Sequence, residues 1–147
     1  MGVTRFIRLL QHIHSGELAA ALAYRGHAQA VRAPEERTHL RTIEREEWTH
    51  RARLGEMLAE LGAEPEPYLE IRKRWTGALL GALCRVTGWF LPMWGAALFE
   101  GRNVTEYAEA AHAAEEAGRP DWVGELLEMG EQERAHERWF LERVREP

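Results

Sequence analysis

The sequence predicts an all-α chain, and three observations carry that expectation. Glutamate outnumbers aspartate 23 to 1, and Ala, Leu, Glu and Arg, all strong helix formers, are abundant. No segment shows the sustained β-branched alternation of a half-buried strand. The chain breakers Pro34, Gly62, Pro65, Pro67, Pro92 and Pro120 leave helix-length segments between them. At 147 residues the chain is long enough for one domain, 1–147, with a core that needs no staples.

The elements follow from those breaks. A first helix is expected over about 4–32. Pro34 then suits the first turn of a second helix, where its missing N–H has no partner to lose. That helix, "EERTHLRTIEREEWTHRARLGEMLAEL", should cover about 35–61 and stop at "GAEPEPY". Residues 68–117 are too many for one helix and contain Pro92, so a crossover segment over about 68–92 and a third main helix over about 93–117 are expected. The fourth begins at "RPDW" and covers about 120–144. Four main helices with a long apolar crossover segment between the second and third describe a ferritin-like four-helix bundle. An up-down bundle with a spare helix is the plainer alternative.

Composition excludes some functions. The net charge of -5 argues against nucleic-acid binding, which needs a basic face. The single cysteine, Cys84, excludes an internal disulfide and an all-cysteine metal site. "MGVTRFIRLLQHIHSGE" has neither an uninterrupted apolar core nor a small-residue cleavage site, so a cytoplasmic protein is expected. From Trp75 to Phe99 the only charge is Arg85. That stretch reads as a crossover packed in the core, a face lying in a membrane surface, or a span. Arg85, Pro92 and the glycines at 77, 81, 88 and 95 weigh against the span, and the 81, 88, 95 spacing suggests close helix packing.

The chemistry is in a repeated pattern. "EREEWTH" ends in Glu47-x-x-His50, and "EQERAHERW" contains Glu133-x-x-His136. Residues three apart on a helix share a face, so such a pair can ligate one ion. Chance alone supplies about one Glu-x-x-His in this composition; the chain has four, at 36/39, 47/50, 109/112 and 133/136. Arrangement selects among them. A di-iron carboxylate site takes one Glu from each of two helices and a Glu-x-x-His from each of the other two. Glu17 is the lone acid in "SGELAAALAY", and Glu100 closes an apolar run in "LFEGRNVTEY". Each is followed seven residues later by a tyrosine, Tyr24 or Tyr107, on the same face. Glu17 precedes Glu47 by 30 residues and Glu100 precedes Glu133 by 33, so the order E, Y, ExxH occurs twice around the crossover.

The spare pairs fit less well. Glu109 is about 900° round the helix from Glu100, on the opposite face. Glu36/His39 lies roughly 16 Å along the axis from Glu47/His50 and in a first turn, where the helix dipole favours glutamate. Glu106, about 120° from Glu100, is an extra or alternative ligand candidate. His12 and His27 have no carboxylate at useful spacing. Four carboxylates and two imidazoles balance two Fe²⁺ ions, and oxygen and nitrogen donors suit iron or manganese. Without metal, such converging carboxylates must take up protons or force the helices apart. Reduced irons with open positions can activate O2.

These motifs resemble the demethoxyubiquinone hydroxylases of the ferritin-like di-iron carboxylate superfamily. "HSGELAAALAYRGHAQAV" is similar to their first-helix His-x-Gly-Glu with its later tyrosine, "EREEWTH" and "EQERAH" to their two Glu-x-x-His motifs, and "LFEGRNVTEY" to their third-helix glutamate and tyrosine. The resemblance covers nearly the whole chain. It implies that Glu17, Glu47, His50, Glu100, Glu133 and His136 hold two iron ions. It also implies hydroxylation of a lipophilic, prenylated quinone ring with O2 as co-substrate, with Tyr24 and Tyr107 orienting the site. Peripheral membrane contact through 75–99 is implied as well, on the inner membrane surface, with Trp75, Trp89 and Trp94 suited to the interface. One departure stands out: Glu106 occupies the place where the family usually has a histidine. The alternatives are ferritin-like iron oxidation and storage, which a large homo-oligomeric cage would favour, and a peroxide-detoxifying di-iron protein.

Overall fold

The computed structural model describes residues 2–146. Among them are five α-helices, a short 3-10 turn and no strand. The helices are α1 (Gly2–Ala30), α2 (Pro34–Glu60), α3 (Pro67–Leu83), α4 (Phe90–Glu116) and α5 (Val123–Arg145), with the 3-10 turn at Pro120–Trp122 before α5. The all-α class is as the composition predicts. Two long helices, a shorter connecting helix and two more long helices follow in the ferritin-like order.

The helix ends explain where the expected boundaries shift. Pro34 is the first residue of α2 and Pro67 that of α3, where the Glu66 side chain also caps the helix by accepting from the Leu69 N–H at 2.6 Å. Gly62 ends α2 at φ 70°, with the Ala63 N–H on the Leu58 carbonyl at 2.9 Å and the Gly62 N–H on the Ala59 carbonyl at 3.0 Å. This is a Schellman ending, which needs a residue that tolerates the left-handed region. Pro92 was expected to precede the third main helix. Instead α4 begins at Phe90 and holds Pro92 in its first turn, where no hydrogen bond is lost. The fourth main helix was expected from 120; its first three residues form the 3-10 turn instead. There the Trp122 ring is buried, 6.0 Å from the Phe6 ring and under the Arg119 guanidinium at 3.5 Å.

The chain divides into two compact units. One contains α1 up to Ile13, α4 from Met93, the 3-10 turn and α5; the other runs from His14 to Pro92. The first has a core that includes Phe6, Leu10, Tyr107, Leu126 and Phe140, all fully buried. Alanines at 110, 111, 113 and 114 line the buried side of α4. The small residue Gly130 lets α5 approach it: a Cβ there would stand 3.3 Å from the Tyr107 Cβ.

In the second unit, Leu18, Leu40, Ile43, Leu54, Met57 and Leu58 are buried, and each such side chain contributes about 1.5–3 kcal/mol by leaving water. Its α3 lies directly on α1. A Cβ on Gly77 would stand 2.5 Å from the Ala19 carbonyl oxygen, and one on Gly26 would stand 2.4 Å from the Gly81 Cα. The backbones therefore touch, and only glycine fits at these places. The other side of α3 is exposed and apolar, with Tyr68, Ile71, Trp75 and Leu79 at helical spacing; Trp75 is 73% exposed. Among the described residues no helix is long and apolar enough to cross a membrane.

Candidate metal centre

Each unit gathers one glutamate from one helix and a Glu-x-x-His from the next. In the His14–Pro92 unit, α1 supplies Glu17 and α2 supplies Glu47 and His50. All three are buried, at 1%, 0% and 4% exposure. His50 Nδ1 is 3.7 Å from Glu17 Oε2 and 3.7 Å from Glu47 Oε1. In the other unit, α4 supplies Glu100 and α5 supplies Glu133 and His136. His136 Nδ1 is 3.7 Å from Glu100 Oε2 and 3.5 Å from Glu133 Oε2. Within each triad the donor atoms lie within 4.8 Å of one another.

These separations suit a shared ion. Two oxygen or nitrogen ligands, each about 2.1 Å from a metal, lie about 3–4 Å apart. The donor set, two carboxylates and one imidazole per triad, suits iron or manganese. Among the described residues no lysine or arginine is buried, so no fixed cation is available inside to neutralise the acids. The six residues therefore fit a metal on both geometry and charge.

Protons do part of that work in the metal-free second triad. Burial, and then the charge of Glu133 beside it, push the Glu100 carboxyl well above the ordinary carboxylate range. Burial alone would lower His136, but hydrogen bonds and negative charge from Glu100 and Glu133 outweigh it and raise its pKa to about 11. A metal entering here must displace protons.

Other candidates fall in different places. Tyr24 and Tyr107 are buried, on the helices that carry Glu17 and Glu100. Glu106 is only partly buried and faces His12, with Oε1 3.4 Å from His12 Nε2. His12 does have a carboxylate near it after all, brought by a different helix. Glu36, of the spare 36/39 pair, accepts from the Trp89 indole N–H at 2.9 Å. His112 is exposed and faces Glu116 at 3.1 Å, in keeping with a surface position for the 109/112 pair.

Several neighbours of the triads are not legible as site residues in the sequence. Arg51, next to His50, donates from Nη1 to the His14 carbonyl at 3.0 Å and to Glu70 Oε2 and Oε1 at 2.9 and 3.2 Å. His14 Nδ1 lies 2.5 Å from Glu70 Oε1. This clasp joins α1, α2 and α3 one turn before Glu17. Burial, and then the Arg51 charge, lower the His14 pKa, while Glu70 opposes them. Asn103, one turn beyond Glu100, is buried at 5% exposure. Helical spacing from Glu100 would have found Asn103, but nothing local links His14, Arg51 and Glu70. His27 is buried as well, and burial lowers its pKa to about 4.

Comparison with known proteins gives the family. The model for the family described as ubiquinone biosynthesis protein COQ7 matches residues 4–98, a stretch that includes Glu17, Glu47 and His50 and ends just short of Glu100. Two curated relatives are both called 3-demethoxyubiquinol 3-hydroxylase. The one from Francisella tularensis subsp. tularensis (strain WY96-3418) is 37% identical over 75 residues, covering 51% of this chain and 35% of the relative. The one from Francisella tularensis subsp. novicida (strain U112) is 40% identical over 57 residues, covering 39% of this chain and 27% of the relative. The chain thus spans about a third or less of the length of these relatives. No solved structure gives a significant match. Since the family match takes in well over half of the chain, including the helices that build the first triad, the chain belongs to the ubiquinone biosynthesis protein COQ7 family.

Proposed function

We propose that the chain is a di-iron enzyme that uses O2 to hydroxylate the ring of a lipophilic quinone-type substrate. The observation that carries this reading is the pair of buried Glu, Glu, His triads in a member of this family. Glu17, Glu47 and His50 hold one iron, and Glu100, Glu133 and His136 hold the other. Four carboxylates balance two Fe²⁺ ions, which supports iron over a site that needs extra anions. Bound iron supplies the activation of O2 that ring hydroxylation requires.

The protein's own groups do the rest. The apolar packing around each triad keeps water away, which strengthens every charge interaction inside. Tyr24 and Tyr107 orient the site from the same helix faces as their glutamates. The exposed face of α3 meets the lipid that carries the substrate. Its Tyr68, Ile71, Trp75 and Leu79 enter the apolar boundary, and the exposed Arg72 and Arg74 meet acidic headgroups. The glycine contacts with α1 hold that face fixed while its tryptophan and leucine side chains project outward.

Iron counting tests the reading. Anaerobic Fe²⁺ loading should give two irons per chain, and His50→Ala and His136→Ala should each lose one. Admission of O2 should then change the optical spectrum, and a short-chain demethoxyquinol should be hydroxylated. Absence of iron, or iron content indifferent to Glu47→Ala and Glu133→Ala, would sink the proposal. A large cage that accumulates iron without touching the quinol would favour the storage function.

A further inference from the structure

We propose that a cavity in the His14–Pro92 unit binds the phosphodiester headgroup of an acidic phospholipid, a proposal that rests on the membrane-contact reading above and not on the iron reading. The cavity measures about 530 Å³ and lies where α1 passes into α2 and α3 passes into α4. None of the six triad residues lines it.

Two hydrogen bonds fix its walls. Arg85 Nη2 donates to Gln29 Oε1 at 2.6 Å, which ties the 84–89 turn to the last turn of α1. The Trp89 indole N–H donates to Glu36 Oε1 at 2.9 Å, which ties the same turn to the first turn of α2. Gly88, at φ 83°, supplies the left-handed residue on which the turn reverses. The walls are therefore set before anything binds, which lowers the ordering cost of a ligand.

Charge says what the cavity takes. Arg32 and Arg85 both line it, and neither has a carboxylate partner among the described residues. Glu36 is the one carboxylate in the lining. His27 also lines it and adds no charge at neutral pH, because burial lowers its pKa to about 4. Two guanidiniums against one carboxylate leave one net positive charge, which matches a phosphodiester anion. Guanidinium N–H groups also fit a pair of phosphate oxygens bidentately.

The surroundings make a lipid the source of that phosphate. Leu83, Val86 and Phe90 are each next in the chain to a lining residue, Cys84, Arg85 and Trp89 respectively. All three are exposed, Val86 at 79%. A free phosphate has no use for such apolar surface, whereas a phospholipid brings acyl chains that cover it.

Cosedimentation of the full chain with phosphatidylcholine vesicles, with and without phosphatidylglycerol, tests this. Phosphatidylglycerol should strengthen binding, and Arg85→Gln and Arg32→Gln should each weaken the strengthened binding about 5- to 10-fold. Arg41→Gln, the same charge change at an exposed position on α2 outside the lining, should weaken it much less. In solution, monomeric dihexanoyl phosphatidylglycerol should slow alkylation of Cys84, the only cysteine, which lines the cavity. Inorganic phosphate at the same concentration should not. Equal losses for Arg85→Gln and Arg41→Gln, or equal protection of Cys84 by inorganic phosphate, would overturn the proposal. Vesicle binding indifferent to phosphatidylglycerol would overturn it while leaving the membrane contact of α3 intact. No binding to either kind of vesicle would sink both.

Discussion

Glu70→Ala removes the centre of the clasp that joins α1, α2 and α3, and its cost can be worked from the contacts. Two bonds from Arg51 Nη1, at 2.9 and 3.2 Å, and one contact with His14 Nδ1 at 2.5 Å end on the Glu70 carboxylate. Hydrogen bonds to a charged group contribute about 1.5–3 kcal/mol when well buried. Here the side chains of Arg51 and Glu70 are 20% and 17% exposed, so water replaces part of what is lost. The expected net cost is about 2–3 kcal/mol. For a chain of this size that lowers Tm by about 5–10 °C. Urea unfolding of the chelator-treated protein measures it. Glu70→Gln, which keeps the shape and loses the charge, should fall between wild type and alanine. Combining Glu70→Ala with Arg51→Ala should cost less than the two alone, with a coupling of about 1 kcal/mol or more. A Glu70→Ala protein within about 0.5 kcal/mol of wild type, or strict additivity with Arg51→Ala, would refute the clasp.

Two further outcomes follow from packing and burial. Gly77→Ala places a Cβ 2.5 Å from the Ala19 carbonyl oxygen, a backbone atom that cannot rotate away, so α3 must shift. The overlap should cost about 1–3 kcal/mol and outweigh the ~1 kcal/mol that alanine gains over glycine in a helix. Gly95→Ala, with nothing near its Cβ, should keep that gain; the two melting temperatures moving in the same direction would contradict the contact. His27 has its folded-state pKa lowered from 6.5 to about 4 by burial. The unfolded chain takes up this proton first, so the penalty is absent above pH 6.5 and grows as pH falls toward 4, reaching about 3 kcal/mol. His27→Gln should flatten that part of the stability curve, and an unchanged acid limb would exclude His27 as its source.

Much of the molecule was legible in the sequence because the relevant interactions are local. Helix propensity, prolines in first turns and glycines after last turns set the five helices, since each acts over a few residues. The Glu-x-x-His pairs were legible for the same reason: two residues three apart on a helix share a face wherever the helix goes. The repeated order of glutamate, tyrosine and Glu-x-x-His then singled out the six residues that the structure buries in two triads. The start of α4 was misplaced because proline is a breaker only inside a helix, and nothing in the sequence says on which side of Pro92 the first turn lies.

What the tertiary structure alone decided concerns partners far apart in the chain. It turned Glu106 toward His12, gave Glu36 to Trp89, and gathered His14, Arg51 and Glu70 into one clasp. It also decided which faces are hidden, so that Asn103 and His27 are buried while Trp75 is exposed. The physical reason is the same in each case. A helix fixes the direction of a side chain relative to its own neighbours, but which other helix it meets depends on burial, close glycine contacts and charge pairing summed over the folded chain.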